Sequence, residues 1–205
     1  MSLQWLEWAQ RIQALSQSGL TYATDVYDLE RYEELRSISV EIVTEHTGLE
    51  MQHVKDLFAV EKGYQTPKMD VRGAVFQHGK ILMVKEKSDG RWALPGGYCD
   101  VGLSPAENIT KEIEEESGYL VVPTKMLALL DMTKHPHPPQ PFHYYKIFIR
   151  CEIVGGEAKN GVETQGVEFF AEDGLPELSL NRNIESQLKL LFDFEKNPAK
   201  ATVFE

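Results

Sequence analysis

The sequence predicts an α/β domain preceded by a small all-helical N-terminal domain, and three observations carry that division. The first ~65 residues repeat apolar positions at helical spacing and carry few strand signals. From Lys68 onward, short runs rich in β-branched and aromatic residues alternate with turn chemistry. Among those runs lies one short helix with a start and a stop signal. The expected boundaries are 1–63 for the helical region and 68–205 for the α/β domain, with a linker around Gly63 to Pro67. A chain of 205 residues can bury a full core and exceeds one compact domain of this kind.

In chain order, Trp5, Trp8, Ile12 and Leu15 share one helical face, Leu29, Tyr32, Leu35, Ile38 and Ile42 a second, and Met51, Val54, Leu57 and Phe58 a third. Thr24-Asp25 and Thr47-Gly48 are the breaks, giving three helices. A stripe with two tryptophans reads as packing rather than a ligand box. A unit this small rarely buries all its apolar surface alone, so it is expected to dock on the α/β domain or on a second subunit.

Val71 to Phe76 and Lys80 to Val84 read as a hairpin joined through Gln77-His78-Gly79. Arg91-Trp92-Ala93-Leu94-Pro95-Gly96-Gly97 follows as a brief strand and glycine turn. Ser104 is a natural N-cap, Pro105 suits the first helical position, and Glu107 completes a capping box. Gly118 closes the other end, leaving about 13 helical residues. Tyr119 to Val122, Lys125 to Leu130, Tyr144 to Val154 and Val167 to Phe170 look like strands. A last amphipathic helix runs from about Arg182 to Phe194, with Ile184, Leu188, Leu191 and Phe192 on one face.

The capped helix carries the chemistry. At about 100° per residue, Glu112, Glu115 and Glu116 fall in one sector, and Ala106, Ile109 and Ile113 fall in an adjoining one that anchors it. Carboxylate runs on helices are usually solvated faces. Here the glycine loop, the caps and Lys111-Glu112 surround them at fixed spacing, and converging like charges call for a hard cation such as Mg²⁺ or Mn²⁺.

That frame resembles the Nudix box, Gly-x5-Glu-x7-Arg-Glu-U-x-Glu-Glu-x-Gly-U with U a bulky apolar residue. It falls on Gly97, Leu103, Lys111, Glu112, Ile113, Glu115, Glu116, Gly118 and Tyr119. Leu103 stands where the first Glu is expected and Lys111 where Arg is expected, two supporting positions, and Asp100 can supply a nearby carboxylate instead. The resemblance extends from about Asp70 to Phe194 and implies the Nudix α/β/α sandwich around a mixed sheet. It also implies that Glu112, Glu115 and Glu116, with the Gly96 carbonyl, hold one to three Mg²⁺ or Mn²⁺ ions, and that Glu112 and Glu116 are catalytic. In this family the general base often sits on a later loop, for which Glu163 and Glu168 are the candidates and Glu163, ahead of its strand, is favoured.

Arg72 reads either as a phosphate contact or as a structural salt bridge. His135 and His137, in the loop Lys134-His-Pro-His-Pro-Pro-Gln-Pro-Phe-His143, could line the base or leaving-group pocket or simply stiffen a connector. Trp92, Phe142 and Tyr144 offer faces for a base or a quaternary ammonium. The chain looks similar to Nudix enzymes that cleave ADP-ribose or CDP-choline. The reading leans to CDP-choline, giving CMP and phosphocholine, ahead of ADP-ribose, RNA-end or 3′-5′ RNA phosphodiesterase activity and a non-catalytic nucleotide sensor. Family relatives with a helical extension imply a homodimer.

A formal charge of −11 excludes a broad electrostatic surface for nucleic acid, while a small nucleotide diphosphate or a short RNA end stays compatible. No signal-peptide pattern and no apolar run near ~18 residues is present, so a cytoplasmic protein without a membrane span is expected. Cys99 and Cys151 lack zinc-type spacing and require no disulfide.

Overall fold

The computed structural model describes residues 3–59, 63–140 and 142–205, with the backbone alone for 57–59, so the expected inward side chains of Leu57 and Phe58 lie outside the described residues. The chain forms two compact units: Met1–Pro67 with Thr133–His135 and Pro139–His143, and Lys68–Met132 with Pro136–Pro138 and Tyr144–Glu205.

The first unit holds α1 (Gln4–Tyr22), α2 (Val26–Thr47) and α3 (Met51–Ala59). Asp25 caps α2 by accepting the N–H groups of Tyr27 and Asp28 at 3.0 and 3.2 Å, and Gly48 ends it in the left-handed conformation. The core is Ala9, Val40, Val43 and Val54, with Trp5, Ile42 and Phe142 against it.

The buried face of α1 differs from the expected stripe. It is Ala9, Gln13, Ser16 and Gln17, while Trp8 is 52% and Leu15 65% exposed. The cause is close helix approach. A Cβ on Gly19 would lie 2.3 Å from the Tyr32 ring, and the Ser39 hydroxyl donates to the Ala9 carbonyl at 2.8 Å. Small residues let α1 and α2 meet, and the large apolar ones are left outside.

The second unit is built on β1 (Lys68–Gln77), β2 (Lys80–Glu86), β3 (Trp92–Ala93), α4 (Pro105–Ser117), β4 (Tyr119–Asp131), β5 (Tyr144–Gly156), β6 (Thr164–Phe170), α5 (Glu185–Lys196) and β7 (Val203–Phe204). The sheet order is β3-β2-β1-β5-β4-β7, with β6 also paired to β2. β1 runs parallel to β5 and β4 to β7, and the other pairs are antiparallel, so the sheet is mixed.

The period-2 alternation of β1 sorts the core into two layers. Val71 and Val75 pack with Ile109 and Ile113 of α4, whereas Ala74 packs with Leu188, Leu191, Phe192 and Phe194 of α5. The helices therefore cover opposite faces, and the unit is the expected α/β/α sandwich.

Strand β7 and several strand ends extend beyond the sequence reading, and two further differences have a clear local cause. The strands on either side of Pro123 are one strand, because register shifts between Leu120 and Val121 and around Pro123 absorb the proline. The last helix begins at Glu185 rather than Arg182, because Arg182 and Asn183 turn back to the Ser179 carbonyl. The Gln187 side chain then accepts the Ile184 N–H.

Candidate active site

The glycine loop is an irregular extra rung on β1. Val71 N–H donates to the Gly97 carbonyl and Gly73 N–H to the Pro95 carbonyl, both at 2.8 Å, while Cys99 N–H donates to the Met69 carbonyl at 2.9 Å. Gly96 has φ +138°, and a Cβ there would stand 2.0 Å from the Val71 carbonyl oxygen, so no side chain fits. This approach aims the Gly96 N–H at Glu116, whose Oε2 accepts it at 2.8 Å. A Cβ on Gly97 would lie 3.2 Å from Glu112 Oε2. Glu112 and Glu116, one helical turn apart, thus meet at the loop.

α4 is held at both ends. Ser104 and Glu107 form the reciprocal capping box, and Gly118 ends the helix in the left-handed conformation. Asn108, fully buried, accepts the Asp100 N–H at 2.8 Å and donates to the Leu103 and Ser104 carbonyls at 3.2 Å, tying the box loop to the helix. Thr164 at the start of β6 donates to the Glu116 carbonyl at 2.7 Å and accepts the Gly161 N–H at the same distance.

At the two positions that depart from the box pattern, Leu103 is exposed and Lys111 pairs with Asp100 at 2.7 Å. Lys111 also lies 3.7 Å from Glu115, whose side chain is exposed. Two of the three predicted ligand carboxylates therefore converge on the loop, and the third turns toward Lys111. Among the described residues no cluster of three or more His, Cys, Asp and Glu side chains is assembled for a metal ion.

Beneath the loop lies a layer of buried charge. Asp70 receives two hydrogen bonds from Arg72, at 2.9 and 2.8 Å, and Arg72 also donates to the Leu94 carbonyl at 3.1 Å. Lys146 stands 3.6 Å from Asp70 and donates to the Arg182 carbonyl. Glu86, also buried, meets Arg182 at 3.4 Å. Asn183 accepts the Leu94 N–H at 2.8 Å.

Burial pushes the Glu116 carboxyl up to about 8, opposed by Arg72 and the Gly96 N–H and reinforced by Glu86 and Glu112. Burial likewise raises Glu112, with Lys111 and Arg72 opposing. Desolvation pulls Lys146 down to about 7 although Asp70 favours its charge. Burial acts to raise Asp70, yet Arg72 and Lys146 together hold it below the usual range. The geometry reconciles the last two: the two short bonds from Arg72 bind the Asp70 charge, and Lys146 at 3.6 Å gains too little to offset its burial.

Glu112 and Glu116 are hard oxygen donors, and a half-buried like-charge pair is what a divalent cation relieves, so the residues present fit Mg²⁺ or Mn²⁺. Gly96 enters this arrangement through its N–H. Glu163 lies exposed in the loop before β6, with its carbonyl accepting the Lys87 N–H at 2.9 Å, and Glu168 lies exposed on β6 opposite Met83. Arg72 is 1% exposed and spent on Asp70, which is the salt-bridge alternative.

Trp92, half-buried, packs edge-on against Phe170, and buried Tyr144 packs edge-on against Tyr98, the half-exposed residue after Gly97. Phe142 joins the core of the helical unit, and His135 belongs to that unit as well. His137 bonds the Leu180 carbonyl at 2.7 Å and Gln187 at 3.0 Å, so its ring serves as a brace.

Sequence reasoning missed Asn108, Thr164, Glu86, Lys146 and Arg182. The available signals were a polar residue inside a helix at Asn108 and a lysine amid the apolar run of β5 at Lys146.

Comparison with known proteins agrees with this architecture. Residues 67–192 match the family model described as the NUDIX domain, and residues 3–58 match the one described as a UDP-X-like, N-terminal oligomerisation domain. The Bacillus subtilis (strain 168) protein named "Putative ADP-ribose pyrophosphatase YjhB" is 55% identical over 98% of this chain and 97% of its own length. The crystal structure of a UDP-X diphosphatase is 34% identical, with a TM-score of 0.65 over 98% of both chains. That of an ADP-ribose pyrophosphatase from Streptococcus suis is 41% identical, with a TM-score of 0.63 over 68% of this chain and 100% of its own. The chain belongs to the Nudix family and is a Nudix pyrophosphohydrolase.

Proposed function

We propose that this Nudix pyrophosphohydrolase cleaves the diphosphate of a nucleoside diphosphate linked to a second moiety, with ADP-ribose as its preferred substrate, giving AMP and ribose 5-phosphate. The observation that carries the chemistry is the convergence of Glu112 and Glu116 on the Gly96-Gly97 loop. Similarity along the whole chain to a protein named for ADP-ribose supports the substrate.

Glu112 and Glu116, joined by Glu115 once it leaves Lys111, would hold Mg²⁺ or Mn²⁺, with the Gly96 carbonyl as a further oxygen donor. When bound, the ion neutralises the diphosphate charge and acidifies water. The chain's own residues do the rest. The Gly96 N–H orients the Glu116 carboxylate, and Arg72 holds the Leu94-to-Gly97 backbone from beneath. Asp100 steadies Lys111, and Glu163, on an exposed loop pinned through Thr164 to the end of α4, is the proposed general base.

CDP-choline is the second reading, favoured by one observation: the half-exposed Tyr98 ring beside Gly97, backed edge-on by Tyr144, is a face suited to a quaternary ammonium. Trp92 and Phe142, the other aromatic candidates, are engaged in packing. The test is a comparison of kcat/KM for ADP-ribose, CDP-choline, UDP-linked sugars and a short RNA with Mg²⁺ or Mn²⁺. Preference for ADP-ribose supports the reading, preference for CDP-choline reverses the order, and release of 5′-mononucleotides from RNA replaces both. A folded protein that binds nucleotide without turnover would be a sensor.

The helical unit is proposed to form a homodimer. The exposed Trp8, Leu15, Tyr22 and Tyr27 and the oligomerisation model matched by residues 3–58 support this. Sedimentation should give twice the mass of 23.3 kDa. Cys99 and Cys151 are both free thiols, which suits the reducing cytoplasm to which we assign the protein.

A further inference from the structure

We propose that Arg182 binds the diphosphate of the substrate and so acts as a specificity residue of the site. The inference rests on the hydrolase reading above and deepens it.

Arg182 lies in the turn before α5, which its own N–H and that of Asn183 fasten to the Ser179 carbonyl at 2.8 and 3.0 Å. Its carbonyl is fixed by Lys146, so the backbone is anchored to the buried layer under the glycine loop. From there a continuous run of contacts reaches the catalytic carboxylates. Lys146 meets Asp70 at 3.6 Å, Asp70 meets Arg72 at 2.8 Å, and Arg72 meets the Leu94 carbonyl at 3.1 Å. Two residues on, Gly96 meets Glu116 at 2.8 Å.

Three basic side chains, Arg72, Lys146 and Arg182, share this layer with Asp70 and Glu86, a local basic cluster within a chain of net charge −11. A dianionic diphosphate pairs best with whichever of these cations is not already committed to a carboxylate.

Of the three, Arg182 is the one able to reach a ligand. The Arg72 and Lys146 side chains are 1% and 0% exposed, while that of Arg182 is 34% exposed. Among the described residues its side-chain hydrogen bond, Nη2 to Glu86 at 3.4 Å, is monodentate and longer than a good N–H···O bond. A guanidinium has five N–H donors in a planar fork that matches phosphate oxygens two at a time, and the Glu86 contact leaves that recognition mode available. Burial raises Tyr98 and Tyr144 and the Arg182 charge opposes it at both, so that charge is felt at the residue following Gly97.

The test is calorimetric binding of ADP with Mg²⁺, and of adenosine, to the full-length wild type, Arg182→Met and Arg182→Lys, alongside ADP-ribose kinetics. Arg182→Met is expected to weaken ADP binding by about tenfold or more, and adenosine binding stays unchanged. Arg182→Lys falls between, and KM rises with kcat held within about threefold. Equal weakening for ADP and adenosine, which a purely structural role would give, overturns the proposal, as does unchanged ADP binding in folded Arg182→Met. A wild type that binds no ADP overturns it too. A wild type that binds ADP through Arg182 but cleaves no diphosphate refutes the hydrolase reading and leaves the binding residue standing.

Discussion

Glu116→Gln separates the site's chemistry from its stability in opposite directions. Burial raises the Glu116 carboxyl from 4.5 to about 8 in the folded protein, so at neutral pH without a divalent ion the folded state holds a proton that the unfolded state has lost. Stability from that proton is fully present below the unfolded pKa and is lost as pH rises through the folded one. At about 1.4 kcal/mol per pH unit, the loss between pH 4.5 and 7 is about 3 kcal/mol. Glutamine has the shape of the protonated acid, and its carbonyl oxygen can still accept the Gly96 N–H.

The variant should therefore match the wild type near pH 4.5 and exceed it by about 3 kcal/mol at pH 7 in chelator. Adding Mg²⁺ should narrow the gap, because binding to the native state stabilises the wild type more. Turnover should fall by orders of magnitude throughout. Urea unfolding at pH 4.5 and 7, with and without Mg²⁺, measures all of this but the turnover. A variant no more stable than the wild type at pH 7 in chelator, or one whose advantage is the same at both pH values, would refute the reasoning.

Three further outcomes follow from the same contacts. Asp100→Ala should lower kcat severalfold by releasing Lys111, and Leu103→Glu in that background should restore it, whereas Leu103→Glu alone should change little, as steady-state kinetics will tell. Asn108→Ala should cost about 1–3 kcal/mol in denaturant unfolding, because the Asp100 N–H loses its acceptor. Lys146 titrates near 7 when folded and 10.5 when unfolded, so the unfolded state holds more protons between them and wild-type stability gains from this group as pH rises across that window; Lys146→Met should lack the gain in paired melts at pH 7 and 10.

What the sequence made legible was local. Ser104, Pro105, Glu107 and Gly118 mark both ends of α4 within its own stretch of chain, and the structure forms the capping box and the left-handed terminus there. The buried layer was not legible, because Asp70, Glu86, Lys146 and Arg182 come from four separate segments that meet only when β1, β2 and β5 pair and the turn before α5 docks. The face of α1 was misjudged for another reason. Hydrophobicity singles out Trp8 and Leu15, but Ala9, Ser16 and Gly19 are the residues small enough for α2 to approach. Pro123 read as a break between two strands, and only the register shifts around it reveal how one strand accommodates it.

Hydrolysis of ADP-ribose by the wild type with Mg²⁺ in ¹⁸O-water, followed by mass spectrometry, asks whether the carboxylates at the glycine loop carry the chemistry. AMP and ribose 5-phosphate with one ¹⁸O atom in one of the two phosphates are expected, and no products in chelator or with Glu116→Gln. Cleavage that continues in chelator, or that survives Glu116→Gln undiminished, would contradict the assignment of the chemistry to the carboxylates at the glycine loop.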